Sequence, residues 1–170
     1  LWLKDATPNE IRSNPEILRR VENIIKFRKA SKKEATKKWA NFPTRFMEDR
    51  QPNSDYLMIP VVSSELRNYI PIGFLSKDVI ANYSSFILPN ASFYQFGIIS
   101  SIMHNIWIKY VCGRLKSDIR YSNTIGFNNF IWPENPSDKQ KEAIEKAAQE
   151  VLDARLQYPN SSLADLYDPN

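Results

Sequence analysis

The chain has 170 residues, 42% hydrophobic and 25% charged, with a net charge of +4 and a pI near 9.1. That composition excludes a disordered tail and suits a globular domain with a buried core. It contains no secretory signal and no run of roughly eighteen apolar residues, which excludes a membrane span and leads us to expect a soluble, cytoplasmic protein. One cysteine, Cys112, and one histidine, His104, exclude a disulfide framework and leave no Cys/His zinc site. The chain starts at Leu1 and stops at Asp168-Pro169-Asn170, which reads as a segment of a longer protein.

The charge is unevenly spread. Residues 19–50 hold eleven Lys/Arg against four Asp/Glu, whereas residues 134–170 hold four against eight. A basic block of this kind suggests a polyanionic partner without specifying a sequence.

In chain order, Thr7-Pro8-Asn9-Glu10 reads as a capping box, and Ser13-Asn14-Pro15-Glu16 repeats the signal. From the second start, Ile17, Leu18, Val21, Ile24 and Ile25 share one helical face, opposite Arg19, Arg20, Glu22, Lys26 and Lys29. Helix continues, with a break, through 31–40, where Lys32, Lys33, Lys37 and Lys38 are either a solvated face or a phosphate-contacting arm. Pro43 ends it. From Asp55 the pattern becomes strand-like: Tyr56–Val62 with Pro60 at an edge or bulge, then Tyr69–Leu75, then Phe86–Leu88. Phe93–Cys112 reads as one buried helix with Ile99, Ile102, Met103, Ile106, Trp107 and Tyr110 inward and Gly113 as its cap. His104 and Cys112 fall in that apolar pattern and read as core residues. A last helix, capped by Ser137 or Asp138, turns Ile144, Ala147, Ala148, Val151 and Leu152 inward. Residues 162–167 read as a short helical turn.

Between these helices lies the stretch Gly113–Pro133. Arg114, Lys116, Asp118 and Arg120 alternate with Leu115, Ser117, Ile119 and Tyr121, the period of a half-buried strand with four charges on one face. A second strand is expected beyond Asn123-Thr124. The fold class expected is α+β: a small, irregular, curved mixed sheet around a buried central helix, with a basic N-terminal helical arm and a C-terminal amphipathic helix.

No enzyme constellation accompanies this fold. The four glycines make no phosphate or dinucleotide loop, no Ser/His/Asp set has a workable spacing, and the acidic residues are scattered. A binding module is expected, with no catalytic and no metal-ligating residue. Alternatives are a stand-alone nucleic-acid-binding module and a docking domain whose basic helix meets an acidic protein.

Several ordered motifs carry a resemblance. They are Asn68-Tyr69-Ile70-Pro71-Ile72-Gly73-Phe74, Pro89-Asn90-Ala91, Phe96-Gly97-Ile98-Ile99-Ser100-Ser101, Cys112-Gly113-Arg114-Leu115-Lys116-Ser117-Asp118, Tyr121-Ser122, Asn128-Asn129-Phe130 and Trp132-Pro133-Glu134-Asn135-Pro136. Together with the starting Leu1–Asp5 and the closing Leu163–Pro169, they resemble the target recognition domain of MmeI-like enzymes. These are single-chain type IIL restriction–modification proteins that methylate adenine.

The resemblance implies a role in reading a short sequence of double-stranded DNA for a methyltransferase domain of the same parent chain. That domain would use S-adenosylmethionine, with or without a fused endonuclease, and this segment would have no activity alone. The expected division is 1–50 as a basic helical arm leading from the methyltransferase domain, 51–136 as the recognition core, and 137–170 as the C-terminal helix and turn. Family base contacts in and after the Gly-Arg-Leu motif fall on Lys116 and Asp118, with Ser117 and Arg120 beside them. Lys116 suits guanine O6 and N7, and Asp118 suits cytosine N4. Asn82 and Tyr83 lie in a loop the family also uses near DNA. Arg114, Lys77, Arg67 (with Asn68) and Lys32, Lys33, Lys37 and Lys38 are the expected phosphate contacts.

Overall fold

Thr7 accepts the amide of Glu10 while the Glu10 carboxylate accepts the amide of Thr7 at 2.7 Å, and this closed box starts α1 (Pro8–Ser13). Asn14 then takes the amides of Glu16 and Ile17 and starts α2 (Pro15–Lys29). The computed structural model describes residues 2–169, and these fall into two compact units that divide between Arg50 and Gln51. In the first unit α2 stops at Ala30, and α3 (Glu34–Lys38) runs on into a 3₁₀ turn, Trp39–Asn41. Val21 is buried, with Ile17, Leu18, Ile24 and Ile25 half-buried around it, as their spacing predicts. Arg28 is buried as well. Its guanidinium donates to the carbonyls of Trp39, Phe42 and Arg45 at 2.8–2.9 Å, so one cation holds the chain that returns past α2.

The second unit is α+β. β1 (Tyr56–Pro60) lies between β3 (Gly73–Leu75) and β4 (Ser85–Pro89) in an antiparallel sheet. β3 pairs only with Tyr56–Met58, so the missing amide of Pro60 breaks no bond on that side. After Val61 the chain enters a second antiparallel sheet, in which β6 (Asp118–Arg120) lies between β2 (Val62–Ser63) and β5 (Arg114–Leu115). The strand expected over Tyr69–Leu75 is confined to its last residues. The amide of Ile70 goes to Asn105 Oδ1 at 2.7 Å, and Pro71 has no amide to offer a ladder.

The single helix expected over Phe93–Cys112 is two: α4 (Phe93–Ser100) and α5 (Ile102–Val111). Ser101 is extended between them and caps α5 by accepting the amide of His104. The break resets the helical phase. Ile102, Met103, Ile106 and Tyr110, expected inward, are exposed, and His104, Asn105 and Ile108 face the core instead. Trp107 remains half-buried and donates to the carbonyl of Gly126. The second strand expected beyond Asn123-Thr124 is a turn of π-helix, Asn123–Phe127, started by Ser122. Gly126 is required in it, because a Cβ there would stand 2.5 Å from Ile108 Cδ1 and 2.7 Å from Cys112 Sγ.

The core joins Leu57, Ile59, Ile70 and Ile72 to Phe96, Ile99, Ile108, Ile119 and Tyr121. α6 (Asp138–Leu156), boxed by Ser137 and Gln140, closes it against α4 at Gly97. Ala148 is buried and Ile144 and Leu152 are half-buried, but Ala147 and Val151, expected inward, are exposed. Arg155 lies over the rings of Phe96 and Tyr167, and Leu163 of α7 (Leu163–Leu166) covers Gly73. No described helix is long and apolar enough to cross a membrane.

Candidate nucleic-acid interface

The charged stretch is a hairpin rather than one strand. β5 and β6 pair Arg114 with Ile119 and Leu115 with Asp118, leaving Lys116 and Ser117 as a two-residue loop. Lys116 has φ 58°, the sign a tight hairpin requires at its first loop position and one that a side chain adopts at a cost of about 1 kcal/mol. The alternation over 114–121 therefore does not place four charges on one face. Asp118 and Arg120 share a face of β6, two residues apart, and Ile119 between them is buried. Arg114, opposite Ile119, folds back and donates to the carbonyl of Lys109 at 2.6 Å and of Cys112 at 3.3 Å, capping the end of α5. Lys116, Ser117 and Arg120 are exposed, and Asp118 is half-buried, accepting the amide of Glu65 at 3.4 Å.

The second candidate element is the loop before β4. Gln51 Nε2 donates to the carbonyls of Lys77 and Val79 at 2.7 Å, the Asp55 carboxylate accepts the amide of Lys77 at 3.0 Å, and the buried Tyr56 hydroxyl donates to Val79. Asn82 Oδ1 accepts from the Ser84 amide, the Ser84 hydroxyl and the Ser85 hydroxyl, so its oxygen is engaged inside an Asx turn. Tyr83 is 100% exposed at the crest of that turn.

Val61 joins the two elements. Its amide donates to the carbonyl of Ser84 at 2.9 Å, and its carbonyl accepts the amide of Tyr121 at 2.8 Å. Tyr83 and Arg120 each lie one residue from that relay. Two strand spacings, about 10 Å, therefore separate the loop from β6. That span is roughly three base steps along a duplex.

The phosphate candidates divide. The Lys77 side chain is exposed on the pinned loop, and Asn68 is exposed. Arg67 is half-buried and tied to the C-terminal segment: its guanidinium donates to Ala164 at 3.4 Å, and its own carbonyl accepts Lys109 Nζ at 3.0 Å. In the first unit Lys32, Lys33, Lys37 and Lys38 are exposed on and beside α3, with Lys37 paired to Glu34 at 2.6 Å.

His104 is fully buried, with Nε2 3.0 Å from the Tyr121 hydroxyl and no hydrogen-bond partner for Nδ1 among the described residues. Burial lowers its pKa to about 4 and raises that of the Tyr121 phenol, so both are neutral near pH 7. Burial also raises the Cys112 thiol above its ordinary range. Both residues are core, as the sequence reads them. Among the described residues no group of three His, Cys, Asp or Glu is placed to hold a metal ion. Sequence reasoning missed Val61, Gln51, Asp55 and Tyr56, which position the loop. Their role lies in backbone bonds that no residue pattern records.

A pinned loop and a short charged hairpin, carried side by side on a sheet junction over a helical core, define a recognition module of α+β class. The chain belongs to the MmeI target recognition domain family. The model for "MmeI, target recognition domain" matches residues 1–134, and that for "MmeI, C-terminal domain" matches 136–170. DNA methyltransferase A of Bacillus subtilis (strain 168) is 38% identical over 170 residues, all of this chain and 19% of that protein. The solved structure of the type IIL restriction–modification enzyme MmeI in complex with DNA is 46% identical with a TM-score of 0.90, over 99% of this chain and 22% of that one. The chain thus spans about a fifth of the length of these relatives.

Proposed function

We propose that this domain reads a short sequence in double-stranded DNA for an adenine-N6 methyltransferase carried by the same longer protein. The observation that carries the reading is Lys116. A lysine stands at φ 58° at the tip of an exposed hairpin, where glycine would be less strained. Its charge stands just ahead of the Asp118 carboxylate, and together they suit the guanine and cytosine edges of one base pair. Ser117 and Arg120 flank that pair, and Asn82 and Tyr83 approach from the neighbouring loop. Lys77, Lys32, Lys33, Lys37 and Lys38 supply phosphate contacts. Arg114 and Arg67 contribute chiefly by holding α5 and the C-terminal segment. Residues 1–50 act as the basic arm, 51–136 as the recognition core and 137–170 as its C-terminal support.

S-adenosylmethionine would be bound by the catalytic domain, where it supplies the methyl group. Among the described residues the four glycines form no cradle for it. Gly73, Gly97 and Gly126 are packed against Leu163, Ile144 and Ile108, and Gly113 stands alone at the end of α5. The relatives named for methylation and restriction support this placement.

One observation favours a second reading beside the first. Ile102, Met103, Ile106 and Tyr110 make an exposed apolar face on α5, which suits docking against the catalytic domain of the parent. Mapping methylated adenines in cells that express the full-length protein tests the main reading. A single short motif is expected, and it should change in the Lys116/Asp118 variants. An unchanged motif in those variants leaves this domain as a docking element.

A further inference from the structure

The proposed function brings Tyr83 toward the duplex without giving its ring a base edge to read. Its ring has no hydrogen-bond or aromatic partner among the described residues and is 100% exposed. The backbone beneath it is held from three directions. Gln51, Asp55 and Tyr56 bond residues 77–79, the Asn82 carboxamide closes the turn onto Ser84 and Ser85, and Ser84 is bonded to Val61. An aromatic ring on a rigid crest loses little freedom when it is buried, and a tyrosine has only two side-chain torsions to fix.

The same bonds remove the obvious alternative for this loop. An asparagine reads adenine by accepting from N6 and donating to N7 with one carboxamide. The Asn82 oxygen already takes three donors within 3.3 Å, so it is a structural acceptor. With its acceptor engaged, Asn82 keeps only its Nδ2 donors for DNA, and the fully exposed ring beside it is the larger group the loop presents. Tyr83 also stands about two strand spacings from β6, so it would meet the duplex about three base steps from the edge facing Arg120.

Resting on the DNA-reading function proposed above, we infer that Tyr83 inserts between two stacked bases of the bound duplex. It acts as an apolar wedge that positions the DNA, and the Asn82 turn is its pedestal. Such a wedge selects a base step that unstacks easily, such as pyrimidine–purine, without hydrogen-bonding to it.

The test uses the full-length protein and a duplex carrying its mapped methylation motif. 2-Aminopurine is placed in turn at each position other than the target adenine. Wild type is expected to raise its fluorescence at one step. Tyr83→Phe should keep both that rise and the affinity. Tyr83→Ala should abolish the rise and weaken binding about ten- to hundredfold, with an unchanged melting temperature because the ring packs on nothing. An unchanged rise and affinity in Tyr83→Ala overturns the wedge. A Tyr83→Phe loss as large as that of Tyr83→Ala also overturns it, by assigning the work to the hydroxyl. If wild type binds motif and scrambled duplexes equally, the proposed function itself fails, and the wedge falls with it.

Discussion

The amide of Val61 donates to the carbonyl of Ser84 at 2.9 Å, and the carbonyl of the same residue accepts the amide of Tyr121 at 2.8 Å. One residue at the crossing between two sheets thus fixes the spacing of two surface elements. Val61→Pro removes the amide and leaves the Ser84 carbonyl without its donor. The expected cost is about 1–3 kcal/mol in a urea melt. The ratio of cognate to non-cognate binding should fall further than total affinity, because the two elements lose a common register. Equal losses for both duplexes would show that the elements act independently.

Lys116 sits at the turn and Asp118 on the returning arm of one hairpin, outside the hydrophobic core, and the exchange gives up one long bond from the Glu65 amide to Asp118. The double variant Lys116→Glu, Asp118→Arg is expected to shift preference from G·C to C·G at one position of the motif, a change of about 1–3 kcal/mol. Lys116→Gly should keep or slightly raise stability, since glycine accepts positive φ freely, while it relaxes selection at that position. Methylome sequencing and thermal melts read the two effects separately.

Replacing Lys32, Lys33 and Lys38 with alanine should weaken binding to every duplex alike. The slope of log affinity against log salt should flatten by roughly 0.9 for each phosphate that is no longer neutralised. Lys37 is already paired with Glu34, so Lys37→Ala should have a smaller effect than any of the three. A weakening confined to the cognate site would place these lysines among the base readers.

His104 makes stability depend on pH. Its folded pKa is depressed to about 4 from an ordinary value near 6.5, because burial disfavours the charged ring. Between those values the unfolded chain binds more protons than the folded one, so stability falls as the pH drops. The contribution is complete above about pH 6.5 and is lost progressively toward pH 4, on the order of 3 kcal/mol. Urea midpoints measured from pH 7 to 4.5 should fall in wild type, and His104→Gln should flatten that part of the profile.

Helix starts are legible in the sequence because a cap is a local bond. Thr7 with Glu10, Asn14 with Glu16 and Ile17, and Ser137 with Gln140 carry their own hydrogen-bond partners within three residues. The α+β class and the burial of His104 and Cys112 are legible for the same reason, since period and apolar context are local. The residues in the candidate interface can be named from ordered motifs. What those residues touch depends on partners far along the chain. Ser101 breaks a helix that reads as continuous, while Asn105 takes the amide of Ile70 thirty-five residues away. Arg28 is buried only because three carbonyls return to it.

The sequence by itself determined the charges, the caps and the family motifs, which are properties of neighbours in the chain. Tertiary structure alone decided that the alternating charges from Arg114 to Arg120 form a hairpin. A strand and a two-residue loop share the same alternation, and the choice rests on the ladder that β6 makes with both β5 and β2. It also decided which side of α5 meets solvent, because the phase of a helix is set by the contacts at its start rather than by its period.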